Sequence, residues 1–231
     1  KILDRTALAY ICSPANPQGA VADWAYWQDL IRLAEKHDFR ILADECYSEI
    51  YRTSRPVGAL QVANEMGADL DRVMIFHSLS KRSNLPGLRS GFAASGEKAI
   101  LQMKTMRAYS GAPLPLPLQK AAEAVWLDEK HVEENRALYA EKFALADDIF
   151  GDIPEYTSPE AGFFLWLACQ NGEEAALKLW KEDGIRVLPG SYLSQDTNNQ
   201  NPGHGYIRVA LVAPKRQTEK GLRKLRNCLY K

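Results

Sequence analysis

The chain has little that would support a metal centre, a disulfide framework or a nucleic-acid interface. Its 231 residues include four cysteines without Cys-x-x-Cys pairing and four histidines without metal-ligand spacing. Basic and acidic residues both number 29, so no net charge attracts nucleic acid or an anionic membrane. No apolar run reaches membrane-spanning length and no signal peptide is visible. We therefore expect a cytoplasmic protein with no metal, nucleic-acid or membrane partner.

The first half of the chain alternates between strand and helix patterns. Apolar runs predict strands at 7–12, 39–43, 72–76 and 91–94. Helical spacing predicts helices at 23–37, with Asp23 as N-cap, and at 97–109. Strands that alternate with helices are typical of an α/β fold with a parallel sheet.

The pattern changes after the proline-rich run 111–117, which interrupts regular structure. A long helical stretch follows at 118–127 and 129–150, and we interpret it as a bridge between domains. Strands at 162–167, 185–188 and 206–211, with helices at 173–181 and 217–229, predict a smaller α+β domain. The predicted division is 1–128 for part of a large domain and 129–231 for the bridging helix and the small domain.

One lysine follows the predicted strand 72–76 in a setting suited to covalent chemistry. Lys81 is preceded by the hydroxyls of Ser78 and Ser80, and Arg89 follows eight positions later. A lysine amine condenses with a carbonyl, while hydroxyls and an arginine are suitable ligands for a phosphate. Pyridoxal phosphate supplies both groups. A polar loop between two strands is the simpler interpretation of this segment taken alone.

Four other residues have types that such a cofactor and an amino-acid substrate need. Asp44 ends a predicted strand and can pair with a protonated ring nitrogen, while Tyr47 and Asn16 can contact the ring hydroxyl. Arg208, in the predicted strand 206–211, can clamp a substrate carboxylate. Each also has an ordinary explanation, as a turn residue, a buried tyrosine or a solvated arginine. Ligands gather at the carboxyl ends of parallel strands, where the segments containing Asn16, Asp44 and Lys81 are expected.

The order of these residues resembles the class I/II pyridoxal-phosphate aminotransferases of fold type I. The ordered set consists of Asn16-Pro17-x-Gly19, Asp44-x-x-Tyr47, Ser78-x-Ser80-Lys81 with Arg89, and Arg208. The resemblance implies that Lys81 bonds covalently to the cofactor and later moves a proton between the substrate Cα and the cofactor. It also implies cofactor contacts by Asn16, Asp44, Tyr47, Ser78, Ser80 and Arg89, and substrate-carboxylate contacts by Arg208 and Asn16.

Longer segments resemble one subgroup, the succinyldiaminopimelate aminotransferases. These segments are 44–51, 80–92, 188–193 and 201–214. The resemblance implies amino-group exchange between N-succinyl-L,L-diaminopimelate and 2-oxoglutarate or glutamate, on the route to diaminopimelate and lysine, in a homodimer. Another class I/II aminotransferase, a β-lyase that uses the same lysine, and an aminotransferase-like sensing domain of a regulator are the alternatives.

The chain opens at Lys1 and runs almost at once into the predicted strand 7–12, as if from the middle of a domain. Members of the family carry a preceding segment with a phosphate-binding turn and an aromatic that stacks on the cofactor ring. We therefore expect the C-terminal portion of such an enzyme, inactive alone. Its sheet would have an open edge and its cofactor would be exposed on one face.

Overall fold

The computed structural model describes residues 1–230 and divides into two compact units. The first unit contains Lys1–Ala15 and Ala20–Arg136, and the second contains Asn16–Gly19 and the chain from Ala137 onward. The division between domains at 128 and 129 stays a prediction.

The first unit is built on a sheet of four strands in the order β1-β2-β3-β4. These are β1 (Leu8–Cys12), β2 (Arg40–Asp44), β3 (Val73–Ser78) and β4 (Gly91–Ala94). The first three strands are parallel, as predicted, but β4 is antiparallel to β3. The segment between β3 and β4 holds only a four-residue helix and a three-residue 3-10 turn. That segment lacks the long crossover helix that joins parallel neighbours, so the chain turns back instead.

Five helices belong to the first unit, and a sixth continues into the second. They are α1 (Trp24–His37), α2 (Ala59–Glu65), α3 (Leu79–Arg82), α4 (Glu97–Tyr109), α5 (Leu116–Leu127) and α6 (Lys130–Phe150). The sequence did not predict α2 or α3, because helices of seven and four residues are too short to show a period. Helix α5 begins inside the proline-rich run, since a proline in the first turn needs no N–H partner.

The core of the first unit shows why α1 forms where the sequence predicts it. Asp23 caps the helix by accepting a hydrogen bond from the Tyr26 N–H at 2.8 Å. Trp27, Ile31 and Ala34 recur on one face and are buried in a single apolar cluster with residues of β2, α2 and β3. This packing holds β2 and β3 in register, which fixes where their carboxyl ends lie.

The second unit contains an antiparallel sheet with the order β5-β7-β6 and two helices after α6. Its elements are β5 (Phe164–Ala168), α7 (Gly172–Asp183), β6 (Leu188–Pro189), β7 (Tyr206–Ala210) and α8 (Lys215–Leu229). The predicted α+β organisation is therefore confirmed. The predicted strand at 185–188 is misplaced, because Gly184 ends α7 in the left-handed conformation and the Ile185 N–H still bonds the Leu179 carbonyl.

Gly19 gives a test of the packing within the second unit. Its φ is +72°, and an added Cβ would lie 2.4 Å from the Pro159 Cβ. Gly162 has a φ of +82° with nothing within 4 Å of an added Cβ, so it is a matched control. We expect Gly162→Ala to lower the free energy of unfolding by about 1–2 kcal/mol through backbone strain alone. Gly19→Ala should add about 1–3 kcal/mol for the overlap.

Urea unfolding of the two variants and the unchanged protein measures how much free energy of unfolding each substitution removes. Equal losses for Gly19→Ala and Gly162→Ala would show that the contact between Gly19 and Pro159 contributes nothing. A larger loss for Gly19→Ala would support the assignment of residues 16–19 to the second unit, where the Gly19 carbonyl also accepts from the N–H groups of Glu160 and Ala161 at 3.0 Å.

Candidate functional site

Lys81 lies in α3, directly after β3, and not in a loop as the sequence suggested. Ser78 is the last residue of β3 and the N-cap of this helix, and its Oγ accepts a hydrogen bond from the Ser80 N–H at 3.1 Å. The Leu79 N–H donates to the Ser90 carbonyl at 3.1 Å, which ties the start of the helix to the segment before β4. These bonds place the Lys81 backbone at the carboxyl end of β3.

The structure brings together the two hydroxyls that were predicted to bind phosphate. The Ser78 hydroxyl donates to Ser80 Oγ at 3.0 Å and approaches the Ser90 carbonyl at 3.4 Å. Arg89 precedes Ser90, has a left-handed backbone with φ 56°, and donates from Nη1 to the Pro86 carbonyl at 2.7 Å. Its side chain is exposed. The two serines are therefore paired with each other, whereas the Arg89 guanidinium bonds its own turn.

Asp44 and Tyr47 follow the neighbouring strand. Asp44 is the last residue of β2, opposite Phe76 of β3, and its exposed carboxylate accepts from the Cys46 N–H at 3.1 Å. Tyr47 is buried, and its ring centroid lies 5.7 Å from Lys81 Nζ. The structure thus places Tyr47 beside Lys81, and their shared role in one site stays a prediction.

Cys46 was not singled out from the sequence, yet it lies among these residues. Burial raises the pKa of its thiol, the Asp44 carboxylate raises it further, and the positive charge of Lys81 opposes the shift. The thiol therefore stays protonated and is a poor nucleophile at neutral pH.

Asn16 and Arg208 form a pair within the second unit. Arg208 lies in the middle of β7, opposite Trp166 of β5, and donates from Nη1 to Asn16 Oδ1 at 2.9 Å. Its guanidinium carbon lies 4.4 Å from the centroid of the Phe164 ring. The two residues predicted to bind the substrate carboxylate are thus hydrogen-bonded to each other. Phe164 was missed, because nothing in the sequence distinguishes it from a core aromatic.

Packing behind Arg208 holds its strand in place. Lys142 of α6 is buried and donates to the carbonyl of Leu211, the residue after β7, at 2.8 Å. Burial lowers the pKa of this amine. Tyr139, one turn earlier on α6, stacks on Phe163 with 5.5 Å between ring centroids. These contacts fix the start of β5 and the end of β7, and with them the strand that carries Arg208.

The donor set of the first unit fits pyridoxal phosphate. Lys81 supplies the primary amine that bonds an aldehyde, Asp44 supplies a carboxylate for the ring nitrogen, and Ser78 and Ser80 supply paired hydroxyls for a phosphate. The individual roles of these residues stay predictions. Within residues 1–230, no three His, Cys, Asp or Glu side chains cluster as a metal site would require. No helix in that range is both long and apolar enough to cross a bilayer.

Comparisons with known proteins match nearly the whole chain. The sequence pattern described as "Aminotransferase class I and II" matches residues 2–225. An LL-diaminopimelate aminotransferase of Dehalococcoides mccartyi is 31% identical over 98% of this chain and 57% of its own length. The crystal structure of an aminotransferase from Neisseria meningitidis Z2491 is 41% identical, with a TM-score of 0.92 over 98% of this chain and 58% of its own.

A second solved structure bears on the predicted subgroup. A probable N-succinyldiaminopimelate aminotransferase from Thermus thermophilus is 25% identical, with a TM-score of 0.86 over 99% of this chain and 60% of its own. The chain thus spans 57–60% of the length of these three relatives. The predicted type I fold, with part of its large domain and a smaller α+β domain, is confirmed by this likeness.

The family resemblance that the ordered motifs indicated is therefore correct. The matched pattern covers both units, in which Asp44 ends β2, Lys81 lies in α3 after β3, and Arg208 lies in the middle of β7. Members of the class I and II aminotransferase family depend on pyridoxal phosphate. This chain belongs to the class I and II aminotransferases.

Proposed function

We propose that the protein transfers an amino group between N-succinyl-L,L-diaminopimelate and glutamate or 2-oxoglutarate, with pyridoxal phosphate bound at Lys81. The observation that carries the proposal is the position of Lys81 in α3. There the lysine lies next to the buried Tyr47 ring, three residues after Ser78, which caps the helix. A homodimeric, cytoplasmic enzyme is part of the same proposal.

The roles of the first unit follow from its donor groups. Bound pyridoxal phosphate supplies an aldehyde that bonds an amine and a ring that stabilises the electrons left when a proton leaves the substrate Cα. Lys81 Nζ would hold the cofactor covalently, and as a free amine it would accept the Cα proton as a general base. The Asp44 carboxylate keeps the ring nitrogen protonated, and the Tyr47 hydroxyl donates to the ring oxygen. Ser78, Ser80 and Arg89 bind the phosphate.

The second unit supplies the substrate-carboxylate site in this proposal. A guanidinium presents its N–H groups in a fixed fork that matches a carboxylate. Asn16 Oδ1 accepts a hydrogen bond from Arg208 Nη1 at 2.9 Å, so rotation of the guanidinium is restricted. The Phe164 ring lies against the guanidinium face and limits its tilt.

The choice of substrate rests on the longer motif segments and on relatives. The names of the Dehalococcoides and Thermus proteins share diaminopimelate, although one refers to the free amino acid and the other to its N-succinyl form. The succinyl group replaces an ammonium with a neutral amide and a carboxylate, so a single pocket residue can distinguish the two compounds. Both compounds are therefore needed in the assay.

The test uses the protein expressed from its complete reading frame. Incubation with pyridoxal phosphate, borohydride reduction and peptide mapping should place the adduct on Lys81. Glutamate should then convert the cofactor to its amine form in a single half-reaction, and N-succinyl-L,L-diaminopimelate should do so faster than free L,L-diaminopimelate. An adduct elsewhere would contradict the role of Lys81.

The alternatives give different products in the same assay. Release of ammonia and a keto acid would identify a β-lyase. A labelled Lys81 without turnover of any amino acid would favour a sensing domain. Faster reaction with the free amino acid would overturn the succinylated substrate and leave the transaminase reaction in place.

A further inference from the structure

The buried Glu45 and the partly buried His77 form a pair that has no part in the roles above. Glu45 directly follows Asp44, and His77 directly precedes Ser78. Only 4% of Glu45 is exposed, and its Oε2 lies 3.2 Å from His77 Nε2. Its other oxygen, Oε1, accepts from the Ala59 N–H at the start of α2 at 2.7 Å. Both oxygens of this carboxylate are thus engaged, as burial of a charge requires.

The other contacts of His77 are consistent with a single arrangement of its ring. His77 Nδ1 lies 3.5 Å from Ser48 Oγ, and the ring stacks on Phe92 of β4 with 5.0 Å between centroids. An imidazole that carries its proton on Nε2 donates to Glu45 and can accept at Nδ1 from the Ser48 hydroxyl. The imidazole is therefore bonded at both nitrogens and packed on one face.

The pair connects the two chain segments whose spacing matters most for the proposed chemistry. The Glu45 N–H donates to the Phe76 carbonyl at 3.0 Å. The segment after β2 is therefore joined to β3 by a backbone bond next to the contact between the two side chains. Successive strand residues point to opposite faces of a sheet, so His77 lies on the face opposite Ser78. The pair therefore acts through its chain neighbours Asp44 and Ser78, which hold the cofactor in our proposal.

We propose that Glu45 and His77 are positioning residues that set the separation between Asp44 and the α3 segment that carries Lys81. This inference rests on the proposed function, because the separation between Asp44 and α3 matters only if both hold the cofactor. The separation itself can be measured on the protein without cofactor. Without the pair, the ends of β2 and β3 keep their backbone bonds and lose the link between their side chains.

Hydrogen exchange on the cofactor-free protein tests this directly. In His77→Phe the ring shape is kept but the donor to Glu45 is lost, and we expect amide exchange at 44–47 and 78–83 to rise about tenfold. His77→Gln restores an N–H donor and should bring exchange back within about threefold of the unchanged protein. His37→Phe is the matched control, because His37 pairs with the exposed Asp4 at 3.2 Å elsewhere in the same unit.

A second readout separates a positioning role from a merely structural one. After the cofactor is added, His77→Phe should slow borohydride-trapped labelling of Lys81 and shift the pH midpoint of the absorbance of the bound cofactor, while His77→Gln and His37→Phe should not. Unchanged exchange in His77→Phe, or a rise spread evenly over the whole first unit, would overturn the inference.

Failure of the two proposals can be told apart. If the unchanged protein labels at Lys81 and His77→Phe has normal exchange and normal labelling, the positioning role is wrong and the proposed function stands. If the unchanged protein does not label, the proposed function fails, and the exchange of 44–47 and 78–83 alone decides the role of the pair.

Discussion

Replacing Lys81 with alanine is expected to abolish the borohydride-trapped adduct and to lower the transamination rate by at least about a thousandfold. In the proposed function the side chain both bonds the cofactor and moves the proton at the substrate Cα, so two functions would be lost at once. The Ser78 cap and the backbone bonds of α3 do not involve the Lys81 side chain, so the fold should survive. Intact-protein mass after reduction, together with single-turnover kinetics, measures both losses.

Two controls make this result specific. Lys81→Arg keeps the positive charge beside the Tyr47 ring but cannot form the same bond to an aldehyde, so it should lose the adduct while retaining stability. Lys104→Ala removes an exposed lysine of α4 and should change nothing. Transamination that persists in Lys81→Ala, or an adduct that moves to another lysine at the original rate, would refute the assignment of Lys81.

Replacing Arg208 with glutamine should lower kcat/KM for an α-amino acid by about a hundredfold, because charge-assisted hydrogen bonds to the carboxylate are lost. Asn16→Ala should have a smaller effect of about tenfold, since the guanidinium remains but loses its hydrogen-bonded orientation. The sharpest measurement is a comparison of an amino acid with the corresponding amine that lacks the α-carboxylate. The amine should react equally slowly with the unchanged protein and with Arg208→Gln.

Arg186 provides a matched control for Arg208 within the same unit. Its guanidinium carbon lies 5.3 Å from the Trp180 ring centroid, so it is a second arginine packed on an aromatic. Arg186→Gln should leave kcat/KM for the amino acid unchanged. If Arg208→Gln slows the amine as much as the amino acid, the arginine stabilises the unit and does not recognise a carboxylate.

Much of the fold could be predicted because its long elements have clear periods and caps. Helix α1 has its N-cap at Asp23 and its buried face at Trp27 and Ile31, all readable as residue types at fixed spacing. The direction of β4 could not be predicted from the sequence, because it depends on how the segment after Ser78 folds and not on the composition of the strand. Helix α3 was missed for the same reason, since a single turn shows no period.

The candidate site also has features that the sequence predicts and features that it does not. The sequence alone determined the residue types and their order: a lysine after two hydroxyls, an aspartate at a strand end and a late arginine. The backbone positions of the aspartate and of the lysine segment at the ends of parallel strands followed from the alternating pattern. The family could be recognised from that order without any contact between the residues.

Only the tertiary structure decided which side chains meet. The bond from Arg208 to Asn16, the Phe164 ring against the guanidinium, and the contact between Glu45 and His77 each join residues far apart in the chain. Such contacts depend on strand register, and a shift of one residue turns every side chain to the other face. Register is set by packing of the whole core, so local sequence fixes the chemistry available to this protein and tertiary structure fixes the partners of each group.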